Sequence, residues 1–142
     1  HIKAGTRVIG AQAFENRNDI EEVYIPKSVE IIDSDAFFLC SNLRKVDFEE
    51  GIKLKEIKPF TFVGCKKMEN INLPDSLKTI YAYSFGDCSF TKIKIPKNVE
   101  YLDLYAIREC YLLKEIELPE RLRGEYHWIA TYGIKTPKLV FY

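Results

Sequence analysis

Four cysteines, Cys40, Cys65, Cys88 and Cys110, and two histidines, His1 and His127, are the residues of this chain best suited to hold a metal or attack a substrate. The cysteines lie 25, 23 and 22 residues apart, whereas a zinc site asks for C-x₂₋₄-C pairs or histidines close by. If successive cysteines stack about 5 Å apart, disulfides come within reach; the plainer reading is a column of small, free, buried thiols. His127 stands beside Trp128, with Glu125 and Tyr126 just before it, a set that could do acid–base work. A lone histidine in a terminal segment more often packs or meets solvent. Asp33 and Asp35 read as solvated turn residues. With no Gly-rich phosphate loop, no G-x-S-x-G and no metal motif, the chain reads as non-enzymatic and without a cofactor.

The spacing of the cysteines belongs to a larger pattern. Ala13-Phe14 returns as Ala36-Phe37, Thr61-Phe62, Ser84-Phe85 and Ala106-Ile107, at steps of 23, 25, 23 and 22 residues. Each of the last four pairs is followed three residues later by cysteine, and Arg17 takes that place in the first. An apolar residue comes next (Ile20, Leu43, Met68, Phe90, Leu113). A strand-like alternation follows at Val23-Tyr24-Ile25, Val46-Asp47-Phe48, Ile71-Asn72-Leu73, Ile93-Lys94-Ile95 and Ile116-Glu117-Leu118. Proline ends four of these five segments (Pro26, Pro74, Pro96, Pro119), and a second apolar pair closes the unit at Val29/Ile32, Leu54/Ile57, Leu77/Ile80 and Val99/Leu102. Extra residues at Glu49-Glu50-Gly51 replace one proline turn, and one residue is lost between Cys88 and Ile93; both changes fall at corners, where loops tolerate them.

A unit this short cannot bury its apolar face alone, so the units must stack into a solenoid with a shared core. The expected architecture is a β-rich leucine-rich-repeat solenoid of about five coils of 22–25 residues. Its strands form a parallel sheet on the concave face, and the Ala-Phe segments are 3₁₀ or short helical turns with phenylalanine pointing inward. The repeats occupy residues 1–122, the first unit partial, and residues 123–142 form a terminal cap ending in the apolar strand Lys138-Leu139-Val140-Phe141-Tyr142. The opening HIKAGTRVIG starts in mid-pattern, as expected of a fragment of a longer protein. Lys+Arg and Asp+Glu both number 21, which disfavours nucleic acid as a partner, and no apolar run approaches the ~20 residues that cross a bilayer.

The segments IPKSVEIIDSDAFFLCSNLRKVDF, LPDSLKTIYAYSFGDC and IPKNVEYLDLYAIRECYLLKEIELP resemble the BspA-type leucine-rich repeats of bacterial and some protist surface proteins. The resemblance covers roughly residues 5–122; its departures are Arg17 in place of the first cysteine and the missing proline after Phe48. It implies a curved solenoid that binds proteins or host surfaces, placed at the cell surface or secreted, often within an adhesin.

Two rows of residues are the candidate contact surfaces. The outward members of the strand segments, Glu22 and Tyr24, Lys45 and Asp47, Asn70 and Asn72, Lys92 and Lys94, Glu115 and Glu117, would form two stripes across the sheet. They read equally as a solvated face with cross-strand charge pairs or as a site for a protein or glycan ligand, extracellular-matrix proteins included, with complementary charge. Phe60, Tyr83 and Tyr105, each one residue before the Ala-Phe step, stack on one edge. They read as a rim shielding the core or as a contact strip. A spacer or an intracellular protein–protein scaffold are the alternatives to a ligand-binding module. The expected state is a monomer or a weak edge-to-edge dimer, because a first coil leaves strand edges open.

Overall fold

Each full coil except the third crosses two short strands, not one. The computed structural model describes residues 1–103, 105–126 and 137–142. The first strand column holds β2 (Glu22–Ile25), β4 (Lys45–Phe48), β7 (Lys92–Lys94), β9 (Glu115–Leu118) and β10 (Lys138–Phe141); the second holds β1 (Val8–Ile9), β3 (Ile31–Ile32), β5 (Glu56–Ile57), β6 (Thr79–Ile80) and β8 (Tyr101–Leu102). All pairs are parallel. The second column arises from the V-x-x-I positions, which the sequence shows as an apolar pair but not as a strand. Its inward residues are Ile9, Ile32, Ile57, Ile80 and Leu102, all buried. After β9 the chain makes a 3₁₀ turn (Glu120–Leu122) and one turn of helix, α1 (Arg123–Tyr126).

The third side of the coil is the Ala-Phe turn, and it is itself a ladder. Alternate amides bond within the turn, as Ala36 N–H to Asp33 and Phe38 N–H to Asp35. The amides between them donate to the next coil: Asp35, Phe37 and Leu39 to the carbonyls of Pro59, Thr61 and Val63. The geometry needs left-handed backbone at both ends of the turn, and Gln12, Asn16, Asp35, Leu39, Phe60, Tyr83, Asp87 and Glu109 take φ of 54–66°, with Gly64 at 72°. Asn, Asp and Gly adopt this region at low cost; Phe60 and Tyr83 do so against their steric preference. Inside the turns Phe14, Phe37, Phe62 and Phe85 stack with centroids 5.1, 5.3 and 5.6 Å apart, and Phe90 closes the series edge-on to Phe85.

One expected strand is not formed. Asn70–Leu73 carries the right alternation, with Ile71 buried, yet it joins no sheet, so the first column splits into β2-β4 and β7-β9-β10. The second column also breaks, between β3 and β5. Both breaks adjoin a change in coil length: the insertion at Glu49-Glu50-Gly51 precedes the third coil, and the residue lost after Cys88 follows it. Ladder bonds require equal path lengths in neighbouring coils. Among the described residues, the backbone hydrogen bonds between residues 31–48 and 56–73 are those of the turn ladder alone.

Candidate binding surfaces

The alternation turns all ten candidate side chains outward, eight of them on paired strands, but the charged ones face each other. Register sets Glu22 beside Lys45, and Lys92 beside Glu115 beside Lys138 in one stripe; Tyr24 lies beside Asp47, and Lys94 beside Glu117, in the other. The Lys92 ammonium sits 2.8 Å from Glu115 and 2.5 Å from Glu117, and these hydrogen bonds raise its pKa while holding Glu117 below the usual carboxylate range. Lys45 pairs with Asp47 at 2.6 Å, and Glu22 is held by Arg44 at 2.5 Å. Lys94 lies 3.7 Å from Glu117 and over the Tyr142 ring at 4.3 Å. Asn70 and Asn72 point outward from the unpaired third segment.

The aromatic edge forms as a stack. Phe60 and Tyr83 lie 5.4 Å apart and Tyr83 and Tyr105 6.0 Å apart, nearly parallel. Stacking along the solenoid hides most ring faces and leaves edges to solvent, so the strip does not offer the row of open faces that sugar stacking uses. Arg108 sits 5.3 Å over the Tyr105 ring. Beside the strip, Tyr81 and Tyr101 meet at a tilt, and Lys58 is tied between Glu56 and the Tyr81 ring.

The cysteines do not pair. All four are free and buried. Each thiol donates to the carbonyl of the phenylalanine one coil back: Cys40 to Phe14 at 3.0 Å, Cys65 to Phe37 at 3.5 Å, Cys88 to Phe62 at 3.3 Å and Cys110 to Phe85 at 3.1 Å. The column is thus a row of buried donors as well as filler. Arg17, in the corresponding place of the first unit, turns to Asp19 with two bonds of 2.7 Å. A comparable row of side-chain bonds runs along the proline corners, where Ser28, Ser76, Asn98 and Arg121 donate to carbonyls of Thr6, Leu54, Asp75 and Val99. The sequence hid this row because three residue types, serine, asparagine and arginine, share one role. His127 and Trp128 lie outside the described residues. Among the described residues no group of three or more His, Cys, Asp or Glu is placed to hold a metal ion, and no helix is long and apolar enough to cross a membrane.

The sequence pattern of the BspA type leucine rich repeat region matches residues 7–54 and 51–136, in six copies. The chain belongs to this family. A leucine-rich repeat protein of Bacteroides ovatus is similar at 29% identity and a TM-score of 0.66, over 80% of this chain and 35% of that one. The pneumococcal vaccine antigen PcpA is similar at 30% identity and a TM-score of 0.62, over 69% of this chain and 24% of that one. The leucine-rich repeat protein of T. pallidum shares the fold at 23% identity and a TM-score of 0.75, over 96% of this chain and 66% of that one. The chain therefore spans about a third of the Bacteroides ovatus structure and under two thirds of the T. pallidum one. Among curated proteins none matches significantly. In this BspA-type array β10 pairs with β9 from Lys138↔Glu115 to Phe141↔Leu118, continuing the first column beyond the fifth repeat.

Proposed function

We propose that this BspA-type array is a non-catalytic, ligand-binding module of a cell-surface or secreted protein, and that it engages a protein or glycan through its first strand column. The observation that carries the reading is the register of the outward stripes, which holds side chains in a fixed grid on hydrogen-bonded strands. Such preorganisation lowers the ordering cost of binding. The family supports an exposed setting, and the pneumococcal relative is a vaccine antigen.

The test is binding of the purified chain to immobilised extracellular-matrix proteins and a glycan array, beside a Lys92→Glu/Lys94→Glu variant. Salt-sensitive binding that is lost in the variant supports the reading. A spacer is the second reading, favoured by the pairing of Lys92, Glu115 and Glu117 among themselves; absence of any binding would select it. The outer edge of β2 has no strand partner among the described residues, and a weak edge-to-edge dimer through it would show in sedimentation equilibrium.

A further inference from the structure

The aromatic stack has two unlike ends. At one end the Tyr105 ring is covered by the chain's own Arg108 guanidinium. At the other, Phe60 stacks on Tyr83 with one face, is 40% exposed, and has no further ring contact among the described residues. The next position of the same column, one coil earlier, is Asp35, whose amide donates to Pro59 beside Phe60. Both residues have left-handed backbone, Asp35 at φ 58° and Phe60 at φ 60°, so their side chains leave the coil in the same sense. Asp35 is short. A side chain of that length does not span a phenyl ring, and Phe60 stays 40% exposed. The Asp35 carboxylate has no hydrogen-bond or ion-pair partner among the described residues. The nearby cation that could claim the place, Lys58, is held by Glu56 and the Tyr81 ring.

We propose that Phe60 and Asp35 form a socket for an arginine side chain of a protein partner. The guanidinium stacks on the open Phe60 face as Arg108 does on Tyr105, and its N–H groups donate to the Asp35 carboxylate. The socket rests on the ligand-binding reading but lies apart from the strand column, so the two can fail separately.

The probe is N-acetyl-arginine amide, titrated into the isotope-labelled chain and followed by NMR, with N-acetyl-citrulline amide as the uncharged isostere. Shift changes should centre on Asp35 and the Phe60 ring for arginine and be absent for citrulline. Asp35→Asn should weaken the apparent affinity about tenfold, the ratio expected of one charge-assisted contact; Phe60→Leu should abolish the shifts and Phe60→Tyr restore them. Asn tolerates the left-handed backbone, so Asp35→Asn keeps the fold. The Lys92→Glu/Lys94→Glu variant should bind the probe as the parent chain does, whatever it does to the strand-column ligand. Shifts centred elsewhere, no shifts, or an affinity unchanged by Asp35→Asn would overturn the socket.

Discussion

The Cys110 thiol lies 3.1 Å from the carbonyl oxygen of Phe85, one coil earlier, and donates to it within the core. Burial raises the Cys110 pKa to about 12 and lifts the other three thiols as well. A thiol raised in the folded state costs nothing while it is protonated in both states. Above the ordinary thiol pKa of about 8.5 the unfolded chain ionises first, so stability falls from there until the folded thiol ionises near 12. Cys110→Ala should therefore lower stability by about 1 kcal/mol at pH 7 and flatten the loss between these two pH values, measured by urea unfolding against pH. In the native chain all four thiols should label slowly at neutral pH; an early labelling phase would show one of them open to solvent.

Ser84 and Thr61 occupy the small-residue position of successive turns, and both are fully buried. Thr61 Oγ1 donates to the Lys58 carbonyl at 2.8 Å, while Ser84 Oγ has no hydrogen-bond partner among the described residues. Alanine fits this position, since Ala36 and Ala106 hold it elsewhere, fully buried. Ser84→Ala should thus stabilise by about 1 kcal/mol and Thr61→Ala destabilise by a similar amount. Equal effects of the two changes in denaturant melts would mean that the hydroxyl's partner does not decide the outcome.

What the sequence disclosed follows from where packing constrains it. The Phe14, Phe37, Phe62 and Phe85 column and the inward Val and Ile residues recur because each contacts its own copy in the next coil, so periodicity reveals them. The second strand column was not legible as strand, because two residues with one outward member have no alternation to detect. Asn70–Leu73 was misread for the opposite reason: its alternation is intact, but pairing depends on the path lengths of the coils on either side. The outward rows could be placed residue by residue, whereas their mutual neutralisation, Lys92 with both Glu115 and Glu117, depends on long side chains that the sequence leaves free. Left-handed backbone is spelled out at Asn16, Gly64 and Asp87 but concealed at Phe60 and Tyr83, residue types that give no hint of it.

Gly64 shows how tightly neighbouring turns approach. It has φ 72°, and a Cβ there would lie 2.6 Å from Leu39 Cδ2. Gly64→Ala should destabilise by about 2 kcal/mol, from left-handed strain plus displacement of Leu39. Leu39→Ala removes the obstructing methyl, so the same Gly64→Ala change should cost about 1 kcal/mol in that background. A double-mutant cycle measures the difference; strict additivity would assign the whole effect to the backbone.

The break in the strand columns has a direct readout in hydrogen exchange. Asn70, Ile71, Asn72 and Leu73 have no backbone acceptor for their amides among the described residues, whereas Lys114 donates to Thr91 at 2.9 Å and Ile95 to Glu117 at 2.9 Å. Amides without partners exchange through small local fluctuations, while ladder amides need larger openings. The four amides of the third coil should exchange on the order of a hundredfold faster than those of Ile95 and Lys114. Asn70 and Asn72 are also outward candidates on the strand column, so a ligand seated there would order the least secured part of the face. Bound ligand should slow these four amides and leave Ile95 and Lys114 nearly unchanged. A ligand that slowed neither set would have its site elsewhere, with the Phe60 edge the next surface to map.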